Sequence, residues 1–171
     1  NEASSGRLVS DLPKQPPYAQ SVNFSPDYKW LVTAHSDKMA RVWEVGSGRL
    51  VATLQGHTAY VNSASFSPDG KWVVTTSGDK TARVWEASSG RQLTTLQGDN
   101  GFMQSASFSP DGKWIVAPSL DSKVRVWEAS SGGLVSTLLE QTVAPNNTSF
   151  SPDSKWMVTF SKGMTATIWE V

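Results

Sequence analysis

The chain has 171 residues with 15 basic and 15 acidic side chains, so it carries no formal net charge at pH 7. That balance argues against a surface built to steer nucleic acid, which needs a cationic excess on one face. There is no cysteine, hence no disulfide framework and no thiolate metal site, and no apolar run of about 18 residues that would span a membrane.

Taken in chain order, one pattern returns at a fixed interval. Phe24-Ser25-Pro26-Asp27, Phe66-Ser67-Pro68-Asp69, Phe108-Ser109-Pro110-Asp111 and Phe150-Ser151-Pro152-Asp153 each begin 42 residues after the one before. Trp30, Trp72, Trp114 and Trp156 each follow a lysine, while Trp43, Trp85, Trp127 and Trp169 each precede a glutamate, so all eight tryptophans belong to the repeat. The units fall at about 2–44, 45–86, 87–128 and 129–171, and a single array with no second domain is expected over 1–171. The first residue is Asn1 rather than Met, which leaves room for an upstream leader or longer segment.

Within unit two, residues 61–67 read as a strand, Ser67-Pro68-Asp69-Gly70 as a tight turn with φ preset by Pro68, and 72–77 as the returning strand. Gly78-Asp79-Lys80 is a second turn, residues 81–85 a third strand, 87–90 another turn and 91–96 a fourth strand. Four short antiparallel strands make a sheet that cannot bury both faces alone, so it must stack on copies of itself.

The period, the Gly56-His57 pair ahead of the first strand and Trp85-Glu86 closing the third resemble the WD40 family, although that family ends its repeats in Trp-Asp and every unit here has Glu. The resemblance implies an all-β chain of four propeller blades. It also implies a stagger, in which the fourth, outer strand of one blade comes from the start of the following unit. The chain then opens on an outer strand at residues 6–12 and ends on a blade of three strands, at Trp169-Glu170-Val171. Pairing one with the other is the family's ring-closing clasp; unpaired, the last strand is an association-prone edge. Rings in that family have seven or eight blades, so four make half a ring with two exposed apolar faces. A homodimer closing an eight-bladed ring across a twofold axis is expected. A self-closed four-blade ring and a fragment of a longer array remain open.

His57, Ser77, Asp79 and Trp85 supply the residue types that form a buried polar relay in the resembled family. The likeness to a Ser-His-Asp triad misleads, because a catalytic triad needs an exposed nucleophile and an oxyanion site. A structural relay is therefore expected, complete only in blade two. Unit one has Gln15, His35 and Asp37 in those columns, unit three Asp99, Ser119 and Asp121, and unit four Gln141, Ser161 and Gly163. Blade four, with Pro145 opening its first strand, is expected to be the loosest.

Columns that vary among matched units are where function could be written. Three flank the turns at one rim in the resembled family: Tyr18, Tyr60, Phe102 and Ala144; Gln20, Asn62, Gln104 and Asn146; Ser36, Gly78, Leu120 and Lys162. Rigid aromatic and amide side chains suit a contact surface for a protein or peptide, because they bury area at small entropic loss. The same aromatics could instead cap the blade tops. The column of Trp30, Trp72, Trp114 and Trp156 is read as packing between blades, with carbohydrate stacking as the alternative. Arg41, Arg83 and Arg125 are read as solvated strand-edge charges without a partner.

His35 and His57 are the only histidines and occupy different columns, so no metal site and no cofactor are expected. Asn23-Phe24-Ser25 and Asn146-Asn147-Thr148 match the glycosylation acceptor pattern, which carries weight only in a secreted chain. The expected function is a non-catalytic interaction scaffold that self-assembles into a closed propeller and meets an unidentified protein or peptide at its rim, with neither nucleic acid nor membrane as partner. A small-molecule or glycan-binding propeller, or a fragment of a larger sensor, is the alternative. With no signal or membrane-spanning segment in view, a cytoplasmic location is expected.

Overall fold

The computed structural model describes Leu12 and residues 18–98, 101–139, 145–161 and 166–171, with backbone alone at 139 and 145–147. These residues form strands in four antiparallel sheets, each strand pairing with the next in sequence. Sheet 1 comprises β1 (Ala19–Phe24), β2 (Trp30–His35), β3 (Met39–Glu44) and β4 (Leu50–Gln55). Sheet 2 comprises β5 (Val61–Phe66), β6 (Trp72–Ser77), β7 (Thr81–Glu86) and β8 (Gln92–Gln97). Sheet 3 has β9 (Ser107–Phe108), β10 (Trp114–Pro118), β11 (Lys123–Glu128) and β12 (Leu134–Leu139), and sheet 4 has β13 (Pro145–Phe150), β14 (Trp156–Ser161) and β15 (Ala166–Glu170). No described helix is long and apolar enough to cross a membrane.

The repeated Ser-Pro-Asp turn is held by its own side chains. In unit two the Ser67 hydroxyl accepts the Trp72 N–H at 2.9 Å and donates to Asp69 at 2.6 Å, while Asp69 accepts the Lys71 N–H at 3.1 Å. The same three bonds recur around Ser25, Ser109 and Ser151. The chain's Trp-Glu has a matching reason. Glu44 and Glu128 each accept a hydroxyl from the serine three residues on, at 2.6 Å, and Glu86 does the same from Ser89. Those bonds brace the turn into the fourth strand.

Every apolar cluster lies between two sheets. Val32, Ala34, Ala40 and Val42 of sheet 1 meet Ala64, Phe66, Val73 and Trp85 of sheet 2. Val74, Ala82 and Val84 then meet Ala106, Phe108, Ile115 and Trp127 of sheet 3, and Val116, Val124 and Val126 meet Phe150, Met157 and Trp169 of sheet 4. These are the same two sets of columns moved along by one unit each time, so alternation in a strand sends one set forward and the other back. Trp30, Trp72 and Trp114 pack against these clusters, in accord with the packing reading of that column.

The array leaves one face uncovered at each end. On sheet 1, Val22 and Phe24 are 53% and 56% exposed, and on sheet 4, Phe160 and Ile168 are 48% and 70% exposed. Both ends being open in one chain, the two faces do not cover each other. Sheet 4 carries three strands among the described residues, with β15 at its edge. Leu12 is in no regular structure, and residues 6–11, expected to supply an outer strand, lie outside the described residues.

Unit three departs from its neighbours. β9 is two residues long, and Met103 touches Ser119 only through an isolated bridge. Gly101 sits so close to sheet 3 that a Cβ there would lie 1.9 Å from the Ser119 hydroxyl.

Candidate functional site

The polar relay of sheet 2 is present, but it runs through a different hydroxyl from the one expected. The Trp85 indole N–H donates to Thr75 Oγ1 at 2.8 Å, and Thr75 Oγ1 is 2.8 Å from His57 Nε2. His57 Nδ1 lies 2.8 Å from Asp79 Oδ2. Ser77 is buried but stands outside the chain of bonds: its hydroxyl donates to the Ala59 carbonyl and accepts the Asp79 N–H, each at 3.1 Å. Register explains the correction. Trp85 faces Val73, so Thr75 is its diagonal neighbour, whereas Ser77 is four residues, about 13 Å, further along the strand.

Burial works to raise the Asp79 pKa, but hydrogen bonds from Thr81, His57 and the Thr58 N–H outweigh it and hold the carboxyl at about 2. Burial lowers the His57 pKa, and the bond to Asp79 opposes this only in part. A neutral His57 with its proton on Nδ1 satisfies every member: Trp85 donates to Thr75, Thr75 to Nε2 of His57, and Nδ1–H to the ionised Asp79. The hydroxyl is enclosed and spent on structure, so this group has no free nucleophile.

Sheet 1, expected to lack the relay, rebuilds part of it. Trp43 donates to Thr33 at 2.8 Å, and His35 Nε2 lies 2.7 Å from the same Thr33 hydroxyl. His35 reaches it from two residues along its own strand, whereas His57 comes from the loop before β5. Sheet 4 keeps the bond from Trp169 to Thr159 at 3.0 Å, and sheet 3 has Ala117 in that column. A threonine ten residues before the tryptophan in three of four units was the signal available in the sequence.

The strand arginines are corrected too. Arg41, Arg83 and Arg125 each form an ion pair with the aspartate four residues earlier, Asp37, Asp79 and Asp121, and Arg125 is only 1% exposed. The pair from Arg125 to Asp121 measures 2.6 Å. Unit four has Gly163 and Thr167 in the two columns, so acid and base are lost together.

The rim columns separate into distinct roles. The Tyr60 carbonyl accepts the Gly78 N–H at 2.9 Å and the Phe102 carbonyl accepts the Leu120 N–H at 3.0 Å, which joins the first column to the third. Tyr60 and Phe102 lie across sheets with ring centroids 6.0 Å apart, and the Tyr60 ring covers Gly78, where a Cβ would meet it at 2.8 Å. Tyr60, Phe102, Gly78 and Leu120 are therefore brought together at one edge, with Tyr18 exposed at 86% and Leu120 at 52%.

The amide column is the bulge column. Register skips one residue between Ala19 and Ser21, Val61 and Ser63, and Pro145 and Asn147, which leaves Gln20, Asn62 and Asn146 as the extra residues. Asn62 spends its amide on the Met103 carbonyl of the next sheet at 3.0 Å, while Gln20 and Gln104 are exposed. Ser36 is half-buried. Ala144 and Lys162, the relay columns at Gln15, Asp99, Gln141 and Gly163, and the side chain of Asn146 lie outside the described residues.

Among the described residues no group of acidic or histidine side chains is placed to hold a metal ion. A cleft of about 380 Å³ lies between sheets 1 and 2, lined by Trp30, Val42, Gly70, Trp72 and Ala87 among others. No curated protein matches the chain. Residues 15–44, 48–86 and 90–128, more than half of the sequence, match the WD40 family, described as WD domain, G-beta repeat. With four antiparallel sheets stacked in series and a Trp-Thr-His-Asp relay inside one of them, the chain belongs to the WD40 repeat family.

Proposed function

We propose that this chain is a non-catalytic protein-interaction scaffold whose blades close, with those of a second copy, into an eight-bladed ring. WD40 repeats are in general interaction modules for proteins and peptides. The observation that supports the scaffold reading is the edge joining Tyr60, Phe102 and Leu120, with Leu120 exposed and Tyr18, in the column of Tyr60, more exposed still. Tyr18 is 86% exposed, so its ring does no work in the core. The ring-closing role of residues 6–12 is part of the same proposal. It is supported by the three-stranded last sheet and by free faces at both ends.

The test pans a random peptide library against the immobilised protein. Peptides that bind it and lose binding to Tyr18→Ser and Leu120→Ser, with unchanged melting curves, support the rim. Peptides that bind both forms alike would sink it. Light scattering reads assembly: twice the 18.5 kDa chain mass is expected, and a single-chain mass at high concentration overturns the ring. The cleft of about 380 Å³ beside Trp30 and Trp72 favours the second reading, a small-molecule or glycan binder. A sugar-dependent rise in melting temperature that Trp72→Phe abolishes would establish it.

A further inference from the structure

The three junctions between consecutive sheets show what each free face is shaped to receive. At the first, Asn23 donates its amide to the Ala64 carbonyl at 2.7 Å, and at the second Ser65 donates to the Ala106 carbonyl at 2.9 Å. The same columns, carried past the end of the chain, place Ser149 of sheet 4 opposite the carbonyl of Val22 of sheet 1. Val158 and Ile168 stand in the columns that face forward at every filled junction, Phe160 in the column of Ala34 that does so at the first, and Val22, Phe24 and Leu31 in columns that face back.

The turn column at 28, 70, 112 and 154 is glycine in the two inner sheets and a larger residue, Tyr28 or Ser154, in the two outer ones. Gly70 and Gly112 occupy the turn of sheets 2 and 3 with φ of 72° and 75°, and a Cβ on either would lie 3.9 Å and 3.8 Å from the proline ring of the preceding sheet, Pro26 or Pro68. Ser154, in the same column of sheet 4, accepts the Asp111 N–H of the preceding sheet at 3.0 Å. This column therefore lies towards the sheet before it at every filled junction, where a side chain on it would come within reach of that sheet. In sheet 1 it is Tyr28, held at φ 59° and 74% exposed. At the first filled junction the glycine borders the cleft lined by Trp30 and Val42. Their counterparts on sheet 4 are Trp156 and Ile168, which line an apolar hollow of about 500 Å³ with Phe150 and Val158.

We infer that Tyr28 of one copy enters the hollow beside Trp156 and Ile168 of a second copy, making a head-to-tail seam in the register of the filled junctions, with Ser149 donating to the partner's Val22 carbonyl. The inference rests on the two-chain reading and adds which residues form its seam. A tyrosine at positive φ is disfavoured in an isolated turn that takes glycine in the two following sheets. An apolar anchor entering a pocket is what such a position gains in return. A chain without net charge adds no long-range repulsion between copies.

Two variants of the full chain test it. Tyr28→Gly restores the residue of the neighbouring turns, so the melting curve of the dissociated chain holds or rises, while the dimer dissociation constant rises about tenfold or more. The absence of native cysteine allows Val22→Cys with Ser149→Cys and a short thiol cross-linker; a product of twice the chain mass is expected. Ser65→Cys with Ala106→Cys is the control, since that pair joins within one chain. A dimer in light scattering that neither cross-links at 22 and 149 nor weakens with Tyr28→Gly overturns the seam and leaves the two-chain ring standing. A single-chain mass overturns both, and a cross-link at single-chain mass replaces them with a self-closed ring.

Discussion

Thr75 is the hinge of the relay because two buried groups depend on one hydroxyl. Thr75→Val keeps the shape and strands the Trp85 indole N–H and His57 Nε2, which costs about 2–3 kcal/mol. Ser77→Ala removes weaker bonds to backbone and costs about 1 kcal/mol, so urea denaturation of the two variants ranks the hydroxyls. The relay also sets the response to acid. Asp79 is lowered from 3.8 to about 2, so its contribution of about 2 kcal/mol is present above pH 4 and lost as pH falls towards 2. His57, lowered from 6.5 by burial, is bound more weakly to protons in the folded chain than in the unfolded one. Its stabilisation is present above pH 6.5 and is lost as pH falls below it. His57→Gln, the residue in that column of units one and four, removes this histidine's share of the acid dependence; a curve of unchanged slope below pH 6.5 contradicts the neutral assignment. At this scale the sequence disclosed His57, Asp79 and Trp85 but misplaced the hydroxyl. Ser77 and Thr75 share a face of one strand, serine recurs in three units as threonine does, and the pairing of Trp85 with Val73 decides between them.

Strands and turns were the most legible elements, because a pattern repeated four times reports each boundary four times. The structure moves them by about one residue, and the one large departure, β9, falls where unit three alone has Asn100-Gly101. What periodicity could not convey is partnership across a turn. Arg125 looks solvated in an alternating strand, yet the tight turn before β11 folds Asp121 back beside it. Unit four replaces both columns, which foretells the outcome of a mutant cycle. Asp121→Gly and Arg125→Thr each cost about 3 kcal/mol or more, because the first leaves the buried Arg125 and the second the half-buried Asp121 without its main partner. The double variant costs less than the sum by about 1–3 kcal/mol, measured by chemical denaturation. Strict additivity would show the pair to be energetically idle.

For the molecule as a whole, no apolar cluster of the described residues lies inside a single sheet. Each cluster is shared by neighbours, so stability is distributed along the chain and the ends are its weakest places. Hydrogen exchange should therefore be slowest in sheets 2 and 3 and fastest in β15, whose residues are exposed in alternation and which is the edge strand of sheet 4 among the described residues. Equal protection of β15 and β7 in a single-chain sample would contradict that order. The sequence led to the expectation of three strands from the last unit itself, because the phase of the repeat can be counted from either end, and the described residues of sheet 4 form three. The odd tyrosine at position 28 went unread, since what its column does shows only where Gly70 and Gly112 lie against the prolines of the sheets before them.

The placement of every apolar cluster between sheets bears on how the chain is made. As it leaves the ribosome, Val32 to Leu54 have nothing to bury against until Trp85 and Ala87 have also been translated. The first stable intermediate thus spans two sheets, and a nascent chain stalled near residue 58 should be digested by protease while one stalled well beyond residue 97 resists it.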